Sequence, residues 1–222
     1  MTKIYTNKNR YLRNKNHDLI YRGLLIIGLA LLLVWVNVFF RNVSLSVIAF
    51  LIFICAYKIA DKFANQAGNY KIGIDAEKNI LDELRKLIGS YIIFHNVKLP
   101  ESYLDNDFVI VSRNGIFNIE VKAGSPGILL WKDRRQSMKE SLALNNFLEK
   151  KQFIEPILVY AGKFAKVRFG KNKYHGTYIV RKEYLLDLIM HKGKTESISE
   201  EQMSHIEDLI LSTGDFQLES QV

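Results

Sequence analysis

The chain has 222 residues, a net charge of +8 and a single cysteine, Cys55, and these figures exclude several classes at once. Hydrophobic residues make up 48% and prolines number only three, so it is neither a disordered nor a collagen-like chain. One cysteine excludes an intrachain disulfide framework and suits a reducing compartment.

In chain order, the first 22 residues are basic: Lys3, Lys8, Arg10, Arg13, Lys15 and Arg22 stand against Asp18 alone. Residues 23–40 are almost wholly apolar. At 1.5 Å per residue they cross most of a bilayer core of about 30 Å. A second apolar run, 43–60, follows after only Arg41 and Asn42, although Ser44, Ser46 and Lys58 trim it. Together the two predict a transmembrane hairpin over 23–60. The basic excess before it and the single Arg41 in its turn place both ends, and the soluble part, in the cytoplasm, with membrane lipid as a partner. A cleaved leader fits poorly, because the first run is too long and no small-residue cleavage site follows. Residues 61–72 read as a tether or a continued helix.

The soluble part reads as α/β. Ile80, Leu81, Leu84, Leu87 and Ile88 recur at helical spacing over 76–88, and Gly89 is a stop. Residues 91–97 predict a strand. Apolar runs at 108–111 and 116–121 around Arg113-Asn114-Gly115 predict a hairpin. A helix is expected over 138–151, broken by Glu155-Pro156. Strands at 157–160 and 176–180 and a helix at 182–190 follow. Ser199 with Gln202 fits a capping box opening a terminal helix, within an acidic segment 191–222.

The 107–122 stretch holds the chemistry. If Asn114-Gly115 is a two-residue loop, Val109 faces Glu120 and Asp107 faces Lys122, and period-two alternation sets Asp107, Glu120 and Lys122 on one sheet face. Two carboxylates and an ammonium there suit Mg²⁺ held by hard oxygens, with Lys122 orienting or helping to deprotonate a bound water. The same residues also satisfy an ordinary cross-strand ion pair, and the spacing alone does not decide between the two. The five histidines (17, 95, 175, 191, 205) lack zinc-ligand spacing. No G-x-S-x-G supports acyl-enzyme chemistry.

Gly73-Ile74-Asp75-Ala76-Glu77 opening a helix, then Asp107, then Gly115-Ile116-Phe117-Asn118-Ile119-Glu120-Val121-Lys122, resembles the nuclease-related domain (NERD), a branch of the PD-(D/E)XK nucleases. The resemblance runs over about 73–184, within a domain expected at 73–190. It implies a restriction-endonuclease-type mixed sheet with flanking helices. It also implies catalysis by Glu77, Asp107, Glu120 and Lys122, with Mg²⁺ or Mn²⁺ held by Glu77, Asp107 and Glu120. The sequence departs from the family at Ala76, where Gly is usual, and at Phe108, where His is usual. It also lacks the usual Pro and Gln opening the next helix, and Gln136 lies off the expected spacing.

Residues 132–182 carry 13 basic against 4 acidic residues, and 183–222 carry 2 against 9. Lys132, Arg134, Arg135, Lys166, Arg168, Lys171 and Lys173, interleaved with Trp131, Phe164, Phe169 and Tyr174, are candidates for binding nucleic acid, DNA first, through phosphates and stacked bases. Solvated loop charge or contact with anionic lipid explains the same residues. The expectation is a membrane-anchored, metal-dependent nuclease. The alternatives are a non-catalytic nucleic-acid-binding or sensing module, or a membrane scaffold for a protein partner.

Overall fold

The computed structural model describes residues 2–7, 11–40, 43–100, 105–124, 130–149, 153–162, 173–192 and 197–219. The chain divides into two compact units, one formed by Met1–Arg10 with Asp75–Val222 and the other by Tyr11–Ile74.

The first unit is built on an eight-stranded mixed sheet: β1 (Lys3–Asn7), β2 (Tyr91–Lys98), β3 (Asp105–Ser112), β4 (Gly115–Lys122), β5 (Ile154–Tyr160), β6 (Lys173–Tyr174), β7 (Thr177–Arg181) and β8 (Phe216–Leu218), in spatial order β6-β7-β5-β4-β3-β2-β1-β8. β2, β3 and β4 form an antiparallel meander, and β4, β5 and β7 run parallel. Because side chains alternate, each strand feeds two cores. On one face Ile93, Phe108, Ile110, Phe117, Ile119 and Ile157 pack against Ile80, Leu81 and Leu84 of α2 (Val43–Leu84) and Leu188 and Ile189 of α4 (Leu185–Lys192). On the other, Phe94, Val109, Val111 and Ile116 meet Leu144 of α3 (Leu130–Phe147) and Met203, Ile206 and Ile210 of α5 (Glu200–Leu211). Ser199 caps α5 in the expected box, accepting from the Gln202 amide while the Gln202 side chain accepts from the Ser199 amide.

Four local expectations are corrected. The hairpin turns at Arg113-Asn114, with Ser112 opposite Gly115 and Val109 opposite Asn118. A loop at Asn114-Gly115 needs positive φ at both residues, but only Gly115 takes it, at 134°. The register therefore slips by two, and a slip of two preserves faces. α3 starts at Leu130, eight residues before the expected start at Met138, because Lys and Arg are good helix formers that a loop reading undervalues. Pro156 lies inside β5, opposite Asn118 of β4; pairing with β7 begins only at Ile157, so its missing N–H breaks no bond on that side. Lastly, the basic N-terminal segment contains β1, an interior strand running parallel to β2 and antiparallel to β8.

The second unit contains α1 (Tyr11–Phe40) and α2 up to Ile74. Among the described residues one helix, at Asn14–Val36, is long and apolar enough to cross a membrane, with a mean hydropathy of 2.4 and only 17% of its apolar window buried, unlike a core helix. The expected two-span hairpin is thus reduced to one candidate span. Residues 61–72 continue α2 without a break.

Candidate active site

β4 supplies Glu120 and Lys122 to the face covered by α3, alternating with Phe117, Ile119 and Val121 on the other face. Glu120 is buried, and its Oε1 accepts from Lys122 Nζ at 2.6 Å. Lys122 Nζ also donates to Gln136 Oε1 at 3.2 Å, and Gln136 Nε2 donates to Glu140 Oε1 at 2.9 Å. Asp107 enters from β3 where pairing with β4 gives out after Phe108 opposite Ile119, and its Oδ2 accepts the Val121 N–H at 2.7 Å. Opposite Asp107 in the β2 register stands Asn96, held at φ 60°. Such backbone is costly for a residue with a side chain, and it clusters where function constrains the chain.

Electrostatics sets this corner apart. Burial, then Glu120, then Glu77 push the Asp107 carboxyl well above the usual carboxylate range, against the pull of the Val121 N–H. Burial and Glu120 push Glu140 up to about 9. Burial pulls Lys122 down, but Glu120, Asp133 and Asp107 outweigh it and leave its pKa above the ordinary value. Lys122 is therefore a fixed ammonium, a donor and charge rather than a general base. Glu120 Oε2 and Glu140 Oε2 are buried with no hydrogen-bond partner among the described residues.

Glu77 points from α2 toward the opposite face, where His95 Nε2 lies 3.3 Å from its Oε2 and the His95 ring stacks on Phe108 at 4.6 Å. Asp107 feels both Glu120 and Glu77. The structure thus brings Asp107, Glu120 and Lys122 together and sets Glu77 beside Asp107, already engaged by His95. Among the described residues no group of three or more His, Cys, Asp or Glu is gathered closely enough to hold a metal ion; each carboxylate has found another partner. The donor set still fits a hard divalent cation, since mutually repelling acids and two orphaned carboxylate oxygens are what such an ion relieves.

Among the expected nucleic-acid contacts, Lys132 and Arg135 are exposed on α3. Arg134 instead donates to the His175 carbonyl at 3.1 Å and to Met138 Sδ at 3.0 Å, fastening the β6–β7 turn. Lys173 pairs with Glu155 at 2.7 Å and lies over the Phe153 and Tyr178 rings. Lys166, Arg168 and Lys171, with Phe164 and Phe169, lie outside the described residues. Sequence reasoning missed Gln136, Glu140 and His95. The signal for the first two was a polar stripe, Gln136, Ser137, Glu140 and Ser141, on one helix face ahead of Leu144, invisible once the helix was started at Met138.

No curated protein and no solved structure matches the chain. A family model does match: the nuclease-related domain, over residues 72–175, a span that runs from within α2 to the β6–β7 turn and includes every site residue named above.

Proposed function

We propose that the protein is a membrane-attached nuclease that hydrolyses phosphodiester bonds of nucleic acid, DNA first, with Mg²⁺ or Mn²⁺. The observation that carries the reading is the buried ring of Glu120, Lys122, Gln136 and Glu140 beside Asp107: an excess of carboxylate around one locked ammonium inside a nuclease-related domain. Asp107 and Glu120, with Glu77 from α2, would hold the ion. A divalent cation there supplies Lewis-acid polarisation of a phosphoryl oxygen and acidifies a coordinated water. Lys122, fixed between Glu120 and Gln136, donates to the attacking water or to the phosphate oxygen on which charge develops. Water oxygen adds to phosphorus, the bond to the leaving sugar oxygen breaks, and that oxygen takes up a proton.

Attachment rests on the apolar helix together with chain order. β1 precedes α1 yet pairs with β2, which follows α2, so residues 11–74 leave the sheet-bearing unit and return to it. A segment that enters a bilayer and comes back crosses an even number of times or re-enters, and the apolar run at 43–60 supplies the return. The basic excess before the apolar run at 23–40 puts both ends in the cytoplasm.

The test uses the full chain in nanodiscs, because a fragment starting at residue 61 lacks β1. Single- and double-stranded DNA and RNA are offered with Mg²⁺, Mn²⁺ or chelator, to wild type and Lys122→Ala. Metal-dependent cleavage by wild type and its loss in the variant are expected. Binding without cleavage on all four substrates would make the domain a sensing or binding module instead.

A further inference from the structure

The outward face of α3 is apolar where a surface helix is normally polar. At about 100° per residue, Trp131, Arg135, Met138 and Leu142 fall within about 60° of one another around the helix. Trp131 is 55%, Met138 40% and Leu142 59% exposed. This stripe lies opposite the buried Ser137, Glu140 and Leu144, so it faces away from the Glu120–Lys122 ring. Lys132 and Lys139 flank it, both exposed. Both acids of the helix turn inward: Asp133 accepts from the Tyr160 hydroxyl at 2.9 Å and Glu140 is fully buried. The outer face of α3 is therefore cationic and greasy, with no carboxylate of its own helix on it.

We propose that this face of α3 rests on an anionic lipid surface, with Trp131, Met138 and Leu142 in the headgroup boundary and Lys132, Arg135 and Lys139 on lipid phosphates. The inference rests on the membrane reading above. Charge complementarity favours lipid over a protein partner, since the cations border the apolar side chains along one edge as on interfacial helices, which pair an aromatic anchor with snorkelling Lys and Arg. It favours lipid over nucleic acid because phosphate contact has no use for Met138 and Leu142. The chain's own apolar helix brings a bilayer within reach of the domain. Docking in this way would leave the opposite side of α3, where Gln136 meets Lys122 of β4, turned from the lipid.

Trp35 and Trp131 are the only tryptophans, so the variant Trp35→Phe isolates Trp131 as a probe. The full chain is placed in nanodiscs of phosphatidylcholine with or without phosphatidylglycerol, and Trp131 emission is followed with lipids brominated near the headgroup. A blue shift and bromine quenching are expected in the anionic discs. Arg135→Gln or Lys139→Gln should weaken both, each cation removed lowering the docked fraction ratio about fivefold. Leu142→Asp should abolish docking without altering incorporation into discs. Incorporation with Trp131 unquenched in every lipid overturns the docking and leaves the membrane reading intact. Failure to incorporate overturns both. Quenching of Trp131 by added single-stranded oligonucleotide, with bromolipid inert, assigns the face to nucleic acid and overturns the proposal.

Discussion

The two faces of the sheet are packed by helices of opposite character. α2 lays Ala76, Ile80, Leu81 and Leu84 on its face with Glu77 as the one buried acid, whereas α3 lays Gln136, Ser137, Glu140 and Ser141 on the other, with Leu144 fully buried and Ala143 and Phe147 partly buried among them. The α2 face holds the fold together. The α3 seam carries buried polar atoms without hydrogen-bond partners among the described residues, including Asn118 Oδ1, Ser137 Oγ and Glu140 Oε2, and so gives up stability beside the candidate site. A helix with so poor an apolar face stays on a sheet only if the rest of the unit is well packed.

The comparison breaks most sharply at Ile80 and Leu84, both fully buried. Ile80→Ala or Leu84→Ala should cost about 2–5 kcal/mol of unfolding free energy, read by chemical denaturation. A loss below about 1 kcal/mol would mean that the α2 face is not the stabilising one. On the other side, Lys122→Ala should lower cleavage by about 10²–10³-fold while moving the thermal midpoint little. A fall in stability matching that at Ile80 would turn the ring into a structural feature.

Gly162 joins the faces at the end of β5. A Cβ there would sit 2.7 Å from the Ala123 carbonyl and 3.1 Å from that of Gly124, so Gly162→Ala should cost about 1–3 kcal/mol and shift the backbone just beyond Lys122. Calorimetry alongside the cleavage assay checks whether activity falls with it. Glu140→Gln keeps the shape of the α3 seam and removes a buried acid. Its metal-free stability at neutral pH is expected to equal or exceed that of wild type, whereas Leu144→Ala, one turn on, should lose stability.

The smallest effect is a pH dependence at Glu219. Burial raises its carboxyl, but bonds from Arg85 at 2.7 Å and Thr6 at 2.8 Å outweigh this and leave it below the ordinary value. A depressed folded-state pKa stabilises above the unfolded-state value and is lost as pH falls through the folded one. Glu219→Gln should therefore flatten the acid limb of the stability curve by lowering stability at neutral pH while leaving it nearly unchanged at the acid end. An unchanged acid limb would mean that these bonds do not hold the C-terminal strand.

What was legible in the sequence was local. The helical phase that aligns Glu77 with Ile80, Leu81 and Leu84, the β3–β4 hairpin, and the Ser199 cap are each set by neighbours within a few residues. Faces survived an error in register because side-chain alternation has period two. What was not legible depends on distant partners. Lys3 pairs with Ile92 and Tyr5 with Leu218, and nothing in a five-residue polar and aromatic run shows that it will sit inside a sheet. The Glu77–His95 pair and the Lys122–Gln136 bond likewise join separate elements. Pro156 misled because its tolerance depends on where β7 begins to pair.

The place of β1 also sets an order of events during synthesis. The strand leaves the ribosome first, but its parallel neighbour lies 89 residues later at the Lys3–Ile92 pair, a wait of roughly 5–18 s at ordinary translation rates. All of residues 11–74 are made in that interval. The sheet therefore closes around the candidate catalytic corner only after residues 11–74 have been made, so a chain stalled before that point would hold an unpaired strand and no assembled acid cluster. Maturation of the site is timed by the segment that precedes it.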